Sequence, residues 1–260
     1  MIFLALVACH QKVDAAPADI DELCAYLYEN EEEPEPLAEG LASLDVWLTT
    51  RTDDALGFNL PPLAPSDVID VTWDQTRDLA DALGGVADAV SPHSLQSHVD
   101  FILLPDQSVV DPDDYAQFDR EFLVGGDCFS ARDCERLETW SVMIKTAAFG
   151  IEIPYEYGKD YQWVDFEAAD GTTQAAVVSR GWVGEPSFDA SGDNGIYTSF
   201  TLDVFLSRPD GTMHRVQALW TETKLVIDDF VSDEFLYGEL IDGLQDVFED
   251  TDTAITELGL

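Results

Sequence analysis

The chain has 260 residues, enough for one sizeable hydrophobic core. Its hydrophobic content of 46% excludes wholesale disorder, and 53 acidic against 12 basic residues, a formal charge of -41, exclude direct nucleic-acid binding, which needs a basic stripe. The acids, 34 Asp and 19 Glu against 4 Lys and 8 Arg, are spread along the whole sequence and read as a dispersed, solvated surface suited to concentrated salt, where a short Debye length screens self-repulsion.

Residues 1–8 form an apolar segment ending in Leu6-Val7-Ala8-Cys9, and residues 9–18 are a polar tether with Ala and Pro. Leu6 to Cys9 resembles the lipobox of bacterial lipoproteins. That resemblance implies a signal peptide, acylation at Cys9, and a membrane-anchored, extracytoplasmic place in the cell envelope. A buried N-terminal strand is the competing reading. No run of about eighteen apolar residues, the length of a membrane-crossing helix, occurs.

Residues 19–66 read as a helical extension. Asp19 or Asp21 caps a first helix with Leu23, Tyr26 and Leu27 on its apolar side, and Asn30 with the acidic, Pro-containing run Glu31 to Pro36 ends it. That acidic run reads as a solvated loop rather than a cation site. Leu37, Leu41, Leu44, Val46, Trp47 and Leu48 mark a second helix, and Leu60 to Pro65 is a stiff connector.

Residues 67–260 read as an α+β domain. Its first part suggests a strand over Val68 to Trp73, a helix over Asp74 to Val90 interrupted at Gly84-Gly85, a strand over His98 to Leu104, and a helix over Asp111 to Phe122 opened by Asp111-Pro112. From Glu138 onward the pattern becomes period-two alternation. Ile196, Thr198, Phe200, Leu202, Val204 and Leu206 form its longest apolar face, with Tyr197, Ser199, Thr201, Asp203 and Phe205 opposite. Turn signals at Asp170-Gly171, Asn194-Gly195 and Asp210-Gly211 separate the runs and imply an antiparallel meander of about six or seven strands. A helix capped by Ser232 follows, with a stripe at Leu236, Leu240, Leu244, Val247, Thr251, Ile255 and Leu258 that must bury against the preceding sheet.

Cys128 and Cys134 enclose five residues, a gap that a turn closes to disulfide distance, and an exported protein sits where such bonds persist. Cys24 then reads as a buried thiol, with pairing to either of the others as the alternative. No pair among His10, His93, His98 and His214 has zinc-site spacing on a helix, so no metal and no cofactor is expected; His98 and His214 read as hydrogen-bonded structural residues. Asp189 to Gly195 resembles a calcium loop but lacks the closing acid, Phe200 standing in its place, and reads as a hairpin turn.

Short strand, helices, meander and long C-terminal helix, in that order over Val68 to Leu258, are similar to the helix-grip arrangement of START-like proteins that bind lipids and small hydrophobes. The lipobox, acidity and Cys loop also look like those of uncharacterised exported lipoproteins. Trp140, Trp163, Trp182, Phe200 and Trp220, joined by Tyr155, Tyr157, Tyr161 and Phe205, are candidates to line a ligand cavity between sheet and C-terminal helix, with core filling as the alternative. The resulting expectation is a membrane-anchored, noncatalytic binding or structural lipoprotein meeting a hydrophobic small molecule or a protein partner. The alternative is a carboxylate-dependent extracytoplasmic enzyme.

Overall fold

A computed structural model describes residues 15–51, 57–110, 115–147, 151–224 and 233–260. Cys9 and the lipobox, the Asp111-Pro112 pair and the Ser232 cap lie outside the described residues.

Two helices come first, α1 (Ile20–Glu29) and α2 (Pro34–Thr50). Asp19 stands at the N-cap of α1, and Asn30 ends it, its side-chain amide donating to the Tyr26 carbonyl at 2.8 Å. Pro34 opens α2 at the position where a missing N–H leaves no bond unmade. The described strands are β1 (Gly57–Leu60), β2 (Leu83–Ser91), β3 (Tyr115–Val124), β4 (Arg136–Ala147), β5 (Ile151–Glu167), β6 (Thr173–Val183), β7 (Ser187–Phe188), β8 (Gly195–Ser207) and β9 (Met213–Lys224). They make one antiparallel sheet in the order β1-β2-β9-β8-β6-β5-β4-β3, with β7 paired to β8. Helix α3 (Leu95–Ile102) lies between β2 and β3 in the chain, and the long α4 (Asp233–Leu258) comes last. The class is α+β, an antiparallel sheet with a long C-terminal helix against it. The hairpins close at the expected turns: Gly171 and Gly211 take φ of 80° and 88°, and the Asp before each accepts from the following Thr N–H.

Four expectations for the first half are corrected. Val68 to Trp73 is a run of turns, with Val68 and Val71 buried. Asp74 to Val90 is not helical beyond a short 3-10 turn at Leu79–Asp81; it becomes β2, because Gly84 and Gly85 disfavour a helix and permit close approach in a sheet. A Cβ at Gly84 would stand 2.7 Å from the Trp220 ring and 2.8 Å from the Leu60 carbonyl, while one at Gly85 would collide with Leu240 of α4. His98 to Leu104 falls in helix α3 and the loop after it, α3 being capped by Ser94, whose hydroxyl accepts from Ser97 N–H at 3.1 Å. The expected helix over Asp111 to Phe122 is, where described, strand β3.

The two faces of the sheet differ in chemistry. Phe200, Leu202, Val204 and Leu206 of β8, with Val216, Ala218 and Trp220 of β9, pack in one core with Leu23, Leu27, Tyr28, Leu37, Leu41 and Leu44 of α1 and α2. Tyr28 meets Phe200 and Trp220 edge-on at 6.1 Å each and donates to the Gly181 carbonyl at 3.2 Å. Contrary to expectation, therefore, the most apolar face is covered by α1 and α2 and not by the C-terminal helix. Helix α4 lies mainly against β2 on the other face: Leu244 and Phe248 pack with Ala87, and Ala254 and Ile255 pack with Phe101 of α3. Phe235, Val247 and Leu258 of the C-terminal helix are exposed.

Candidate ligand cavity

Alternation in the strands determines what faces α3 and α4. Because Phe200, Leu202 and Val204 point to α1 and α2, Thr201 and Asp203 between them point the other way, as do Arg215 and Gln217 of β9 and Tyr155, Tyr157, Lys159 and Tyr161 of β5. Register then extends this set sideways. Arg120 of β3 stands opposite Ser141 of β4, which stands opposite Tyr157 of β5; Thr139 stands opposite Lys159. The result is a cavity of about 520 Å³ between the sheet and the α3/α4 side, within the range of small-molecule pockets, roughly 300–1,000 Å³. Phe118, Met143, Phe101, Ile102 and Val183 supply its apolar wall.

At one side of the cavity Asp203 is fully buried, with Lys159 Nζ at 2.6 Å and Arg215 Nη2 at 3.0 Å. Burial pushes its carboxyl up, but the two cations outweigh burial and hold it below the ordinary carboxylate range. Burial likewise opposes the charge on Lys159, and Asp203 overrides that, so the ammonium is held above the usual lysine range. The Arg215 guanidinium lies between the Phe205 and Phe248 rings, 5.2 and 4.9 Å from their centroids. Arg120 donates to the Ile102 carbonyl at 2.8 Å, the Tyr161 hydroxyl at 3.0 Å and the Thr139 hydroxyl at 3.3 Å. Burial raises the Tyr157 phenol to about 12, and its hydroxyl bonds that of Thr201. A Cβ at Gly181 would collide with that pair, so glycine keeps the wall open for it.

His98 also lines the cavity. Burial first, then Arg215 and His93, bring its pKa down to about 3, so it is neutral at pH 7, with Nε2 2.9 Å from the Ser91 hydroxyl. His214 is held between Asp88, 2.7 Å from its Nε2, and Arg208, 3.0 Å from its Nδ1. Both histidines are hydrogen-bonded as the sequence suggested.

None of the five residues predicted to line the cavity does so. Phe200, Trp220 and Trp182 are on the α1/α2 face; Trp163 is buried beside α3, donating to the Phe129 carbonyl at 2.9 Å. Trp140 borders a separate, smaller groove with Glu156 and Pro186. Of the accompanying aromatics, Tyr155, Tyr157, Tyr161 and Phe205 do line it. The residues missed were the cations. Of Arg120, Lys145, Lys159 and Arg215, four of only 12 basic residues, the last three stand as rare charges inside alternating strands, whereas Arg120 falls in the segment that reads as a helix.

Cys128 and Cys134 form a disulfide with Cα atoms 5.5 Å apart, and Cys24 is a buried thiol whose pKa burial raises far above the usual range. The Asp189 loop is a hairpin turn: Asp189 accepts from Ser191, Asn194 and the Asp193 N–H, and Gly192 takes φ 76°. The acidic run after Asn30 is only partly solvated. Glu31 is fully buried, and Glu31, Glu32 and Asp160 converge on the far face of the sheet. Arg180 lies 3.5, 2.8 and 3.5 Å from these three, and Arg136 reaches Glu32 and Asp160 at 2.7 and 3.2 Å. Two guanidiniums among the carboxylates make this a salt-bridge network, not a cation cage.

No protein-family model matches the chain, and no curated protein sequence is similar to it. Among solved structures, a protein of Thermus thermophilus is similar with 12% identity and a TM-score of 0.42, covering 67% of this chain and 98% of its own. A STAR-related lipid transfer protein of Xanthomonas axonopodis gives 9% identity and 0.42, over 68% and 87% of the two chains. Human StAR-related lipid transfer protein 5 gives 10% and 0.42, over 87% and 100%. At such identities no residue role passes from these proteins to this chain.

Proposed function

We propose that this protein is a noncatalytic binding protein that holds a small amphipathic molecule between its sheet and its C-terminal helix, while acyl groups on Cys9 anchor it to the outer side of a membrane. The observation that carries the binding reading is the cavity of about 520 Å³, whose wall combines aromatic and aliphatic side chains with hydroxyls and cations. A purely apolar ligand would leave the Nε atoms of Arg120 and Arg215, which have no hydrogen-bond partner among the described residues, still unsatisfied, so the ligand has both a polar and an apolar part. Two carboxylates line the cavity, Asp246 and Asp250, one helical turn apart on α4. They do not face each other across a cleft, which favours binding over acid–base chemistry. Support for the anchor is the Leu6-Val7-Ala8-Cys9 sequence, and support for a saline setting is the charge of -41.

Native mass spectrometry of protein purified from its own cells tests the binding reading. The expected result is a retained organic molecule of small-molecule mass, released on unfolding. A protein that comes off its cells empty and takes up no amphipath in vitro would overturn it.

A further inference from the structure

In a chain with 53 acids and 12 basic residues, one cavity is lined by four cations, Arg120, Lys145, Lys159 and Arg215, and by two acids, Asp246 and Asp250. Lys159 and Arg215 share a single carboxylate, that of Asp203. Arg120 differs from every other described arginine. Arg51, Arg77, Arg132, Arg136, Arg180, Arg208 and Arg215 each make an ion pair, whereas Arg120 makes none among the described residues. Its terminal nitrogens donate to neutral oxygens of Ile102, Leu104, Thr139 and Tyr161, and its buried Nε has no hydrogen-bond partner among the described residues. Among the described residues the Nε of Arg215 in the same wall is also without one.

A half-buried cation without a counter-ion is costly, and this protein has carboxylates in excess everywhere else.

We propose that Arg120 receives the anionic head of the ligand, and that the ligand is a single-chain amphipathic monoanion, a carboxylate on an apolar body. The proposal deepens the binding reading above and rests on it. The head lies at Arg120, where the charge is unmatched, and Phe118 and Met143 in the adjacent strands offer the apolar surface for the body. Arginine suits the role because its donors are held in a fixed fork, here braced by Ile102, Thr139 and Tyr161, so little freedom is lost when the anion arrives.

The test is calorimetric titration of the full chain in about 1 M KCl, which suppresses the repulsion of the acidic surface more than contacts inside the cavity. Dodecanoate, dodecan-1-ol and dodecyltrimethylammonium share one tail and differ in head. Dodecanoate is expected to bind about 10- to 100-fold more tightly than dodecanol, the range of a hydrogen bond to a charged group, and the ammonium more weakly than either. Arg120→Gln should bring dodecanoate affinity down to about that of dodecanol, removing the preference for the carboxylate, and Arg120→Lys should keep part of it. Equal binding of acid and alcohol overturns this inference and leaves the binding reading intact; binding of none of the three overturns the binding reading itself. A preference that survives Arg120→Gln overturns the assignment to Arg120. Should that variant fail to fold, the head-group comparison on the native chain still decides whether the ligand is an anion, and Arg120→Lys decides whether Arg120 holds it.

Discussion

Glu31 lies fully buried with a carboxylate oxygen 3.5 Å from Arg180 Nε, and neither of its oxygens accepts a hydrogen bond among the described residues. The contact ties the turn between α1 and α2 to strand β6 across the salt-bridge network. Burial pushes the Glu31 carboxyl up to about 8; Arg180 and Arg136 pull it down, and Asp160 and Glu32 add to the rise.

A carboxyl with a folded pKa above its ordinary 4.5 binds its proton more tightly in the native state. Its contribution to stability is therefore fully present below 4.5, is lost as pH rises toward 8, and is gone above that. Glu31→Gln should remove that decline. Urea melts at fixed salt should show the variant gaining on the native protein from acid pH to about 8. Parallel stability profiles for the two proteins would show that Glu31 does not titrate as described.

Leu244 of α4 is 4% exposed and packs with Ala87 and Phe248. Leu244→Asp should cost about 2–5 kcal/mol by stranding an unpaired carboxylate against β2, and thermal melts should show a large fall in Tm. Val247→Asp, one turn on and 37% exposed, should cost much less. Equal effects at the two positions would mean that α4 does not dock through this face.

Stability should rise with salt. A charge of -41 repels itself more in the compact than in the expanded chain, and ions screen that repulsion. Tm is expected to climb steadily from low to molar KCl. A flat or falling Tm would mean that the acidic surface carries no net repulsive cost.

Cys9→Ser should move the protein from the membrane fraction to the soluble fraction, since a thiol-linked acyl anchor needs that sulfur. Immunoblots of fractionated cells check this; unchanged membrane association means that something other than acylation holds it.

The strands from Arg136 to Lys224 are legible in the sequence because most alternate cleanly and end at an Asp- or Asn-Gly turn. Strand β3 is not. Register shifts between Tyr115 and Gln117 and between Phe122 and Val124 break its alternation, and Tyr115, Phe118 and Phe122 then fall at the three- and four-residue steps of a helix. Helix α3 is eight residues long, too short for its periodicity to stand out from a strand's. The cavity is hidden for a different reason. Periodicity shows that Phe200 and Thr201 face opposite ways, but not which of the two faces α4; that depends on where α1 and α2 dock, a long-range contact that local pattern does not encode. Bulky tryptophans are the conspicuous signal, and the more informative one is a lysine or arginine placed in a strand of a chain that has so few.

The adjacency of Phe200 and Thr201 also bears on how this protein can change. Strands β5, β6, β8 and β9 devote alternate residues to the α1/α2 core and the residues between them to the cavity or α4 side, so the core and the cavity wall are written in interleaved positions of the same segments. Substitutions at Ser141, Ser199 or Thr201 can remodel the cavity while Leu202, Val204 and Val216 continue to hold the fold. The shape and polarity of the cavity are free to drift under selection at little risk to folding, and the same positions are where an engineer would begin.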